Sequence, residues 1–170
     1  TLKSGGGNDV VDIRATAGLL DVQTGDGDDR INIGSESPNG GGDLSLIREL
    51  VKLDAGAGGD SLFIDSTRAA NTLTGVLTNA GLTGLDMLKG LEYTAVENLQ
   101  VSLGPSRNEF TIASTHGGNT VVNTSGNVDT IHIESTAGNT VVNTGAGADV
   151  TNVKAIGAAT TINSGADAGT

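Results

Sequence analysis

Short runs in which every second residue is apolar return along this chain at a nearly constant interval. Thr130-Ile131-His132-Ile133 is one such run, and Asn139-Thr140-Val141-Val142-Asn143-Thr144 is the next. Period-2 alternation predicts half-buried strands. Two kinds of corner separate the runs. One is small and rich in Thr, Ala and Gly, as in Ser135-Thr136-Ala137-Gly138; the other is marked by glycine and delivers an acid or amide. The second kind occurs six times, as SGGGNDVVDI (4–13), TGDGDDRINI (24–33), AGAGGDSLFI (55–64), LGPSRNEFTI (103–112), TSGNVDTIHI (124–133) and TGAGADVTNV (144–153). Aligned on the sixth position these give Asp9, Asp29, Asp60, Asn108, Asp129 and Asp149, with spacings of 20, 31, 48, 21 and 20 residues. A period near 20 predicts an all-β parallel solenoid, two main strands to each coil, in which no coil buries its apolar face without a neighbour.

Two inward columns follow from the alternation. After the acid corner they are Val11/Ile13, Ile31/Ile33, Leu62/Ile64, Phe110/Ile112, Ile131/Ile133 and Thr151/Val153; on the other strand they are Leu20/Val22, Val51/Leu53, Leu99/Val101, Thr120/Val122, Thr140/Val142 and Thr160/Ile162. A slip of one residue turns each pair outward, so the register is strongly specified. Glycines such as Gly25, Gly56 and Gly145 are expected at positive φ or at close backbone approaches. Asn123, Asn143 and Asn163 recur in one outward column and predict a side-chain ladder.

Insertions interrupt the period at 35–50 and 71–98. SPNGGGD (37–43) reads as a surface loop and LSLIREL (44–50) as one short helical turn; 71–98, with Met87, Leu88, Leu91 and Tyr93, reads as an extra irregular coil or a small cap. Residues 1–170 are expected to form a single repeat domain. Ile13–Ser35 resembles Ile112–Ser135 about 100 residues later, and no capping segment is evident, so the chain reads as an excerpt of a longer array. Its partners are then neighbouring repeats of the same protein, with free strand edges suited to end-to-end self-association.

Composition narrows the function. The net charge of −11 opposes nucleic-acid binding and attachment to anionic membranes. Absence of Cys removes disulfides, thiol catalysis and Cys-ligated zinc, and no apolar stretch reaches the roughly 20 residues of a membrane-spanning helix. Aromatics are only 2% of the chain, so a core must be a narrow column of Val, Ile, Leu, Ala and Thr. High negative charge suits a secreted or cell-surface protein, soluble by self-repulsion or neutralised by divalent cations. His116 and His132 have no nucleophile constellation around them, and the acid column recurs too regularly for one catalytic pair, so the chain reads as no enzyme.

The acid corners resemble the haemolysin-type RTX repeat, Gly-Gly-x-Gly-x-Asp-x-hydrophobic-x. Asp9, Asp29, Asp60 and Asp149 each have glycine two and four residues earlier; Asp129 has Asn127 and Ser125 there, and Asn108 replaces the acid itself. The motif's first glycine is replaced by Ser4, Thr24, Ala55, Leu103, Thr124 and Thr144, and only one edge of each coil carries the motif. The segment GLEYTAVENLQVSLG (90–104) is similar to those found in RTX-like arrays of very large secreted or surface-attached bacterial proteins. The resemblance implies a parallel β-roll, calcium bound between stacked turns, and Asp9, Asp29, Asp60, Asp129 and Asp149 as its ligands. The residues also allow another reading, in which each Asp accepts hydrogen bonds from its own turn, a task Asn108 performs without charge. The expected function is a rod, spacer or adhesive module; the alternative is polysaccharide binding or processing, with a cell-surface glycan near Phe63 and Tyr93.

Overall fold

A computed structural model describes residues 1–166. In chain order the strands are β1 (Leu2–Gly6), β2 (Val10–Ile13), β3 (Leu20–Asp26), β4 (Arg30–Ile33), β5 (Val51–Asp54), β6 (Ser61–Asp65), β7 (Leu73–Thr78) and β8 (Gly81–Gly84). They continue as β9 (Leu91–Thr94), β10 (Asn98–Ser102), β11 (Asn108–Ile112), β12 (Asn119–Asn123), β13 (Thr130–Ile133), β14 (Thr140–Gly145), β15 (Val150–Val153) and β16 (Thr160–Ser164). Among the described residues there is no helix.

Apart from β7, β8 and β9, which share one sheet, successive strands alternate between two sheets. The first has nine, in the order β1-β3-β5-β9-β8-β7-β11-β13-β15; the second has seven, β2-β4-β6-β10-β12-β14-β16. Every neighbouring pair is parallel except β7–β8 and β8–β9. Where the period is regular, each residue lies beside the one about 20 later, as in Ile131↔Thr151 and Val122↔Val142.

Side chains from both sheets meet in one core. Alternation is clean in β6 and β14, whose inward residues are buried while the others are half-exposed. That is what period-2 patterning on a pleated strand requires. All the expected inward pairs are buried through β14 apart from the half-buried Leu20; only at β15 and β16, the last strands of their sheets, do Val153 and Ile162 stand 43% and 40% exposed.

Four expectations need correction. The segment 44–50 forms one hydrogen-bonded turn, Ile47 N–H to Leu44 O, and no helix; Leu44 and Ile47 are buried, and Ile47 bridges to Thr16. The segment 71–98 is no cap, and the coil it contributes to is not a plain one. It is an antiparallel meander, β7-β8-β9, laid into the first sheet in reverse spatial order, and it accounts for the two extra strands there. The inward columns are also joined differently: Leu62/Ile64 stack on Leu99/Val101, Val51/Leu53 on Leu91/Tyr93, and Phe110/Ile112 on Gly75/Leu77. The fourth correction follows from the third. Strands after Asp9, Asp29 and Asp60 lie in the second sheet, whereas those after Asn108, Asp129 and Asp149 lie in the first. The glycine–acid corners therefore occupy opposite edges in the two halves of the molecule, and both edges carry the motif.

Candidate functional site

Each acid corner is built on two residues in the left-handed region, four and two positions before the acid. At Asp60 these are Gly56 (φ +92°) and Gly58 (φ +150°); at Asp129 they are Ser125 (φ +81°) and Asn127 (φ +74°). Glycine adopts such angles freely and Asn tolerates them, which explains the residue types. Two of the residues that replace the motif's first glycine are buried threonines whose hydroxyls bond across the stack: Thr24 Oγ1 donates to Ala55 O and Thr124 Oγ1 to Thr144 O, both at 2.8 Å. They tie one rung to the next, a task glycine could not perform.

The acids themselves form two ladders. On one edge Asp9 N–H donates to Asp29 Oδ1 (2.8 Å), Asp29 N–H to Asp60 Oδ1 (2.7 Å) and Asp60 N–H to Glu97 Oε2 (2.8 Å). On the other, Asn108 N–H donates to Asp129 Oδ1 (2.7 Å) and Asp129 N–H to Asp149 Oδ1 (2.8 Å). Of the five expected ligands, the structure thus brings together Asp9, Asp29 and Asp60 on one edge and Asp129 with Asp149 on the other. The carboxylates of Asp29, Asp60, Asp129 and Asp149 thus accept from the backbone N–H of the preceding rung, a bond across the stack in place of the expected bond from their own turn's N–H groups.

The rung-to-rung bond engages one oxygen of a carboxylate and leaves the other. Oδ2 of Asp9, Asp29, Asp60 and Asp129 is buried without a hydrogen-bond partner. Asp29, Asp60 and Asp129 are almost wholly enclosed. A buried charge with a free lone pair is costly. Calcium takes six to eight oxygens, and among the described residues no group of three or more His, Asp or Glu side chains converges. The unpartnered Oδ2 atoms are the oxygens that the acid corners could offer a cation.

Electrostatics agrees with the burial. Desolvation pushes the Asp60 carboxyl above its ordinary value, and the like charges of Asp29, Glu97 and Asp28 push it further, against the Asp29 N–H bond, which lowers it. Burial raises Asp129 as well, joined by Asp149 and opposed by bonds from Thr124 and Asn108. A carboxyl raised in the folded state binds its proton more readily folded than unfolded. Its burden on stability is therefore greatest above the folded value and is relieved as pH falls through that value towards the unfolded 3.8. In chelator, the melting temperature should rise as pH is lowered from neutrality through the raised folded value of these carboxyls. Thermal melts of wild type and the Asp60→Asn/Asp129→Asn double variant test this, because the double variant should lose most of the rise.

Glu97 lies outside the six glycine-marked corners, although Glu97-Asn98-Leu99-Gln100-Val101 repeats the acid-x-apolar-x-apolar order of Asp60-Ser61-Leu62-Phe63-Ile64. Asn8 and Asp28 form a smaller parallel ladder, with Asp28 N–H donating to Asn8 Oδ1 and Gly59 N–H to Asp28 Oδ1. The expected Asn column is present: Asn143 Nδ2 donates to Asn123 Oδ1 (2.7 Å) and Asn163 Nδ2 to Asn143 Oδ1 (2.8 Å). Tyr93 offers no sugar platform. It is 2% exposed, its hydroxyl donates to Thr78 O, and its ring meets His116 edge to face. Phe63 is half-buried with the Arg30 guanidinium 3.9 Å above its ring. No family model, curated protein or solved structure matches this chain.

Proposed function

We propose that the chain winds as a β-solenoid and serves as a rod, spacer or adhesive repeat module of a secreted or cell-surface protein, with calcium stabilising its acid corners. The observation that carries this reading is the repeating register. A strand in either sheet is matched by one about 20 residues later, and the corner side chains repeat the same bond from rung to rung. Such a design extends by addition of identical layers and gains little from any single one, as a spacer needs. The outer strands β15 and β16 leave Val153 and Ile162 exposed, giving a further repeat or a second copy an apolar surface to stack on.

Two measurements test the reading. Small-angle scattering should show an elongated particle whose cross-section stays constant while its length grows with protein concentration; a compact particle would count against a rod. Calorimetric titration with calcium should show uptake at the corners, and chelation should lower the melting temperature. Absence of both heat and thermal shift would remove calcium from the proposal while leaving the rod.

A further inference from the structure

One rung of the two ladders is chemically different. Asn108 stands where the others carry an acid; its Oδ1 is buried without a partner, as an oxygen of the acids is, but its amide nitrogen is fully engaged. Nδ2 donates to Ser106 O (2.7 Å), Asp129 Oδ1 (3.0 Å), Gly104 O (3.1 Å) and Thr124 O (3.4 Å). Four oxygens thus converge on one electropositive nitrogen. In the acid corners the corresponding oxygen, Oδ2, has no partner at all at Asp29, Asp60 and Asp129. The backbone differs in the same sense. Neither Gly104 nor Ser106 has positive φ, whereas both corresponding residues do in every acid corner. Left-handed residues direct their carbonyls along the stack, so that Gly25 O lies against Gly56. Where an amide is present, the carbonyls of Gly104 and Ser106 turn inward to meet it.

The ladder bond is otherwise the same. Asn108 N–H reaches Asp129 Oδ1 at 2.7 Å, and Asp29 N–H reaches Asp60 Oδ1 at 2.7 Å. What the Asn108 amide adds is a second donor to the next rung's carboxylate. We propose that Asn108 is a permanently closed rung: its amide supplies from within the chain the positive polarity that the Asp29 and Asp129 rungs take from a bound hard divalent cation. The amide and the cation are therefore interchangeable at these positions. This rests on the calcium reading of the acid corners and extends it to a rule about which rungs need the ion.

The rule predicts that the cation can be replaced one rung at a time. In Asp29→Asn the new amide would face Asp60 Oδ1, and in Asp129→Asn it would face Asp149 Oδ1, as Asn108 faces Asp129. The intact chain and both variants would be titrated with calcium chloride in a calorimeter and melted in calcium and in chelator. Each variant is expected to take up one calcium fewer and to melt roughly 2–4 °C higher than wild type in chelator, with a smaller gap between its two melting temperatures. Asn108→Asp should do the reverse, melting lower in chelator and recovering partly in calcium. Should that variant fail to fold, the two Asp→Asn changes still decide the matter. Wild type that binds calcium while both variants melt no higher in chelator overturns the interchange and leaves calcium in the corners. Wild type that binds no calcium removes the cation itself, and the proposal falls with it.

Discussion

Gly56→Ala is expected to be among the most damaging single substitutions in the molecule. Gly56 has φ +92°, and a methyl group there would lie 1.9 Å from Gly25 O and 2.7 Å from its carbonyl carbon. Gly25 O also accepts a bond from Ala57 N–H at 2.9 Å, so it cannot swing aside without breaking a link between rungs. Left-handed strain alone costs about 1–2 kcal/mol. With the clash against fixed backbone, a total of about 3–5 kcal/mol is expected, placing this change in the exceptional range for point substitutions. The matching control is Gly5→Ala. Gly5 has φ +112° but nothing within 4 Å of an added methyl, because it belongs to β1 at the sheet's outer edge. Chemical denaturation of both variants separates the two effects: Gly5→Ala should pay only the strain, and equal losses would show that rung-to-rung approach contributes nothing.

Phe110→Ala should cost about 3–5 kcal/mol as well, by the cavity left on truncating a buried ring. Phe110 is completely buried and lies beside Gly75 in the pairing of β11 with β7. The ring occupies the room that a side chain at Gly75 would need: a methyl there would come within 2.9 Å of Phe110 Cε2 and 2.8 Å of Leu85 Cδ2. The aromatic residue therefore clamps the antiparallel meander onto the parallel strands that follow. Hydrogen exchange should register the loss first in β7, β8 and β9, before the regular rungs around Val122 and Val142. Phe110→Leu, which keeps most of the apolar volume, should cost much less. Uniform loss of protection along the chain would argue against a local clamp.

Much of this architecture can be read from residue order. Period-2 alternation identifies nearly every inward side chain, and the twenty-residue interval pairs Ile131 with Thr151 and Val122 with Val142 because each rung must cover its neighbour. The lost positions lie around the meander. Counting from acid to acid treats the 48 residues between Asp60 and Asn108 as one enlarged coil, but they hold a full circuit ending at Glu97 and a further half circuit of 11 residues. Glutamate instead of aspartate, without flanking glycines, concealed that rung. Leu99 and Val101 then match either column equally well, since alternation fixes which way a side chain points and not which sheet holds the strand. The acid corners were legible as a repeat, but their bonding was not. Whether the Asp29 carboxylate bonds its own turn or the preceding rung depends on distances across 20 residues of sequence, which no local pattern encodes.

The ladder carboxylates change edge after residue 97: they follow one flank as far as Glu97 and resume on the opposite flank from Asp129. A flat cationic surface laid against either flank would engage only half of the acid column. Two such molecules lying side by side and bridged by divalent ions would have to offset by about half their length to keep their acid flanks in contact.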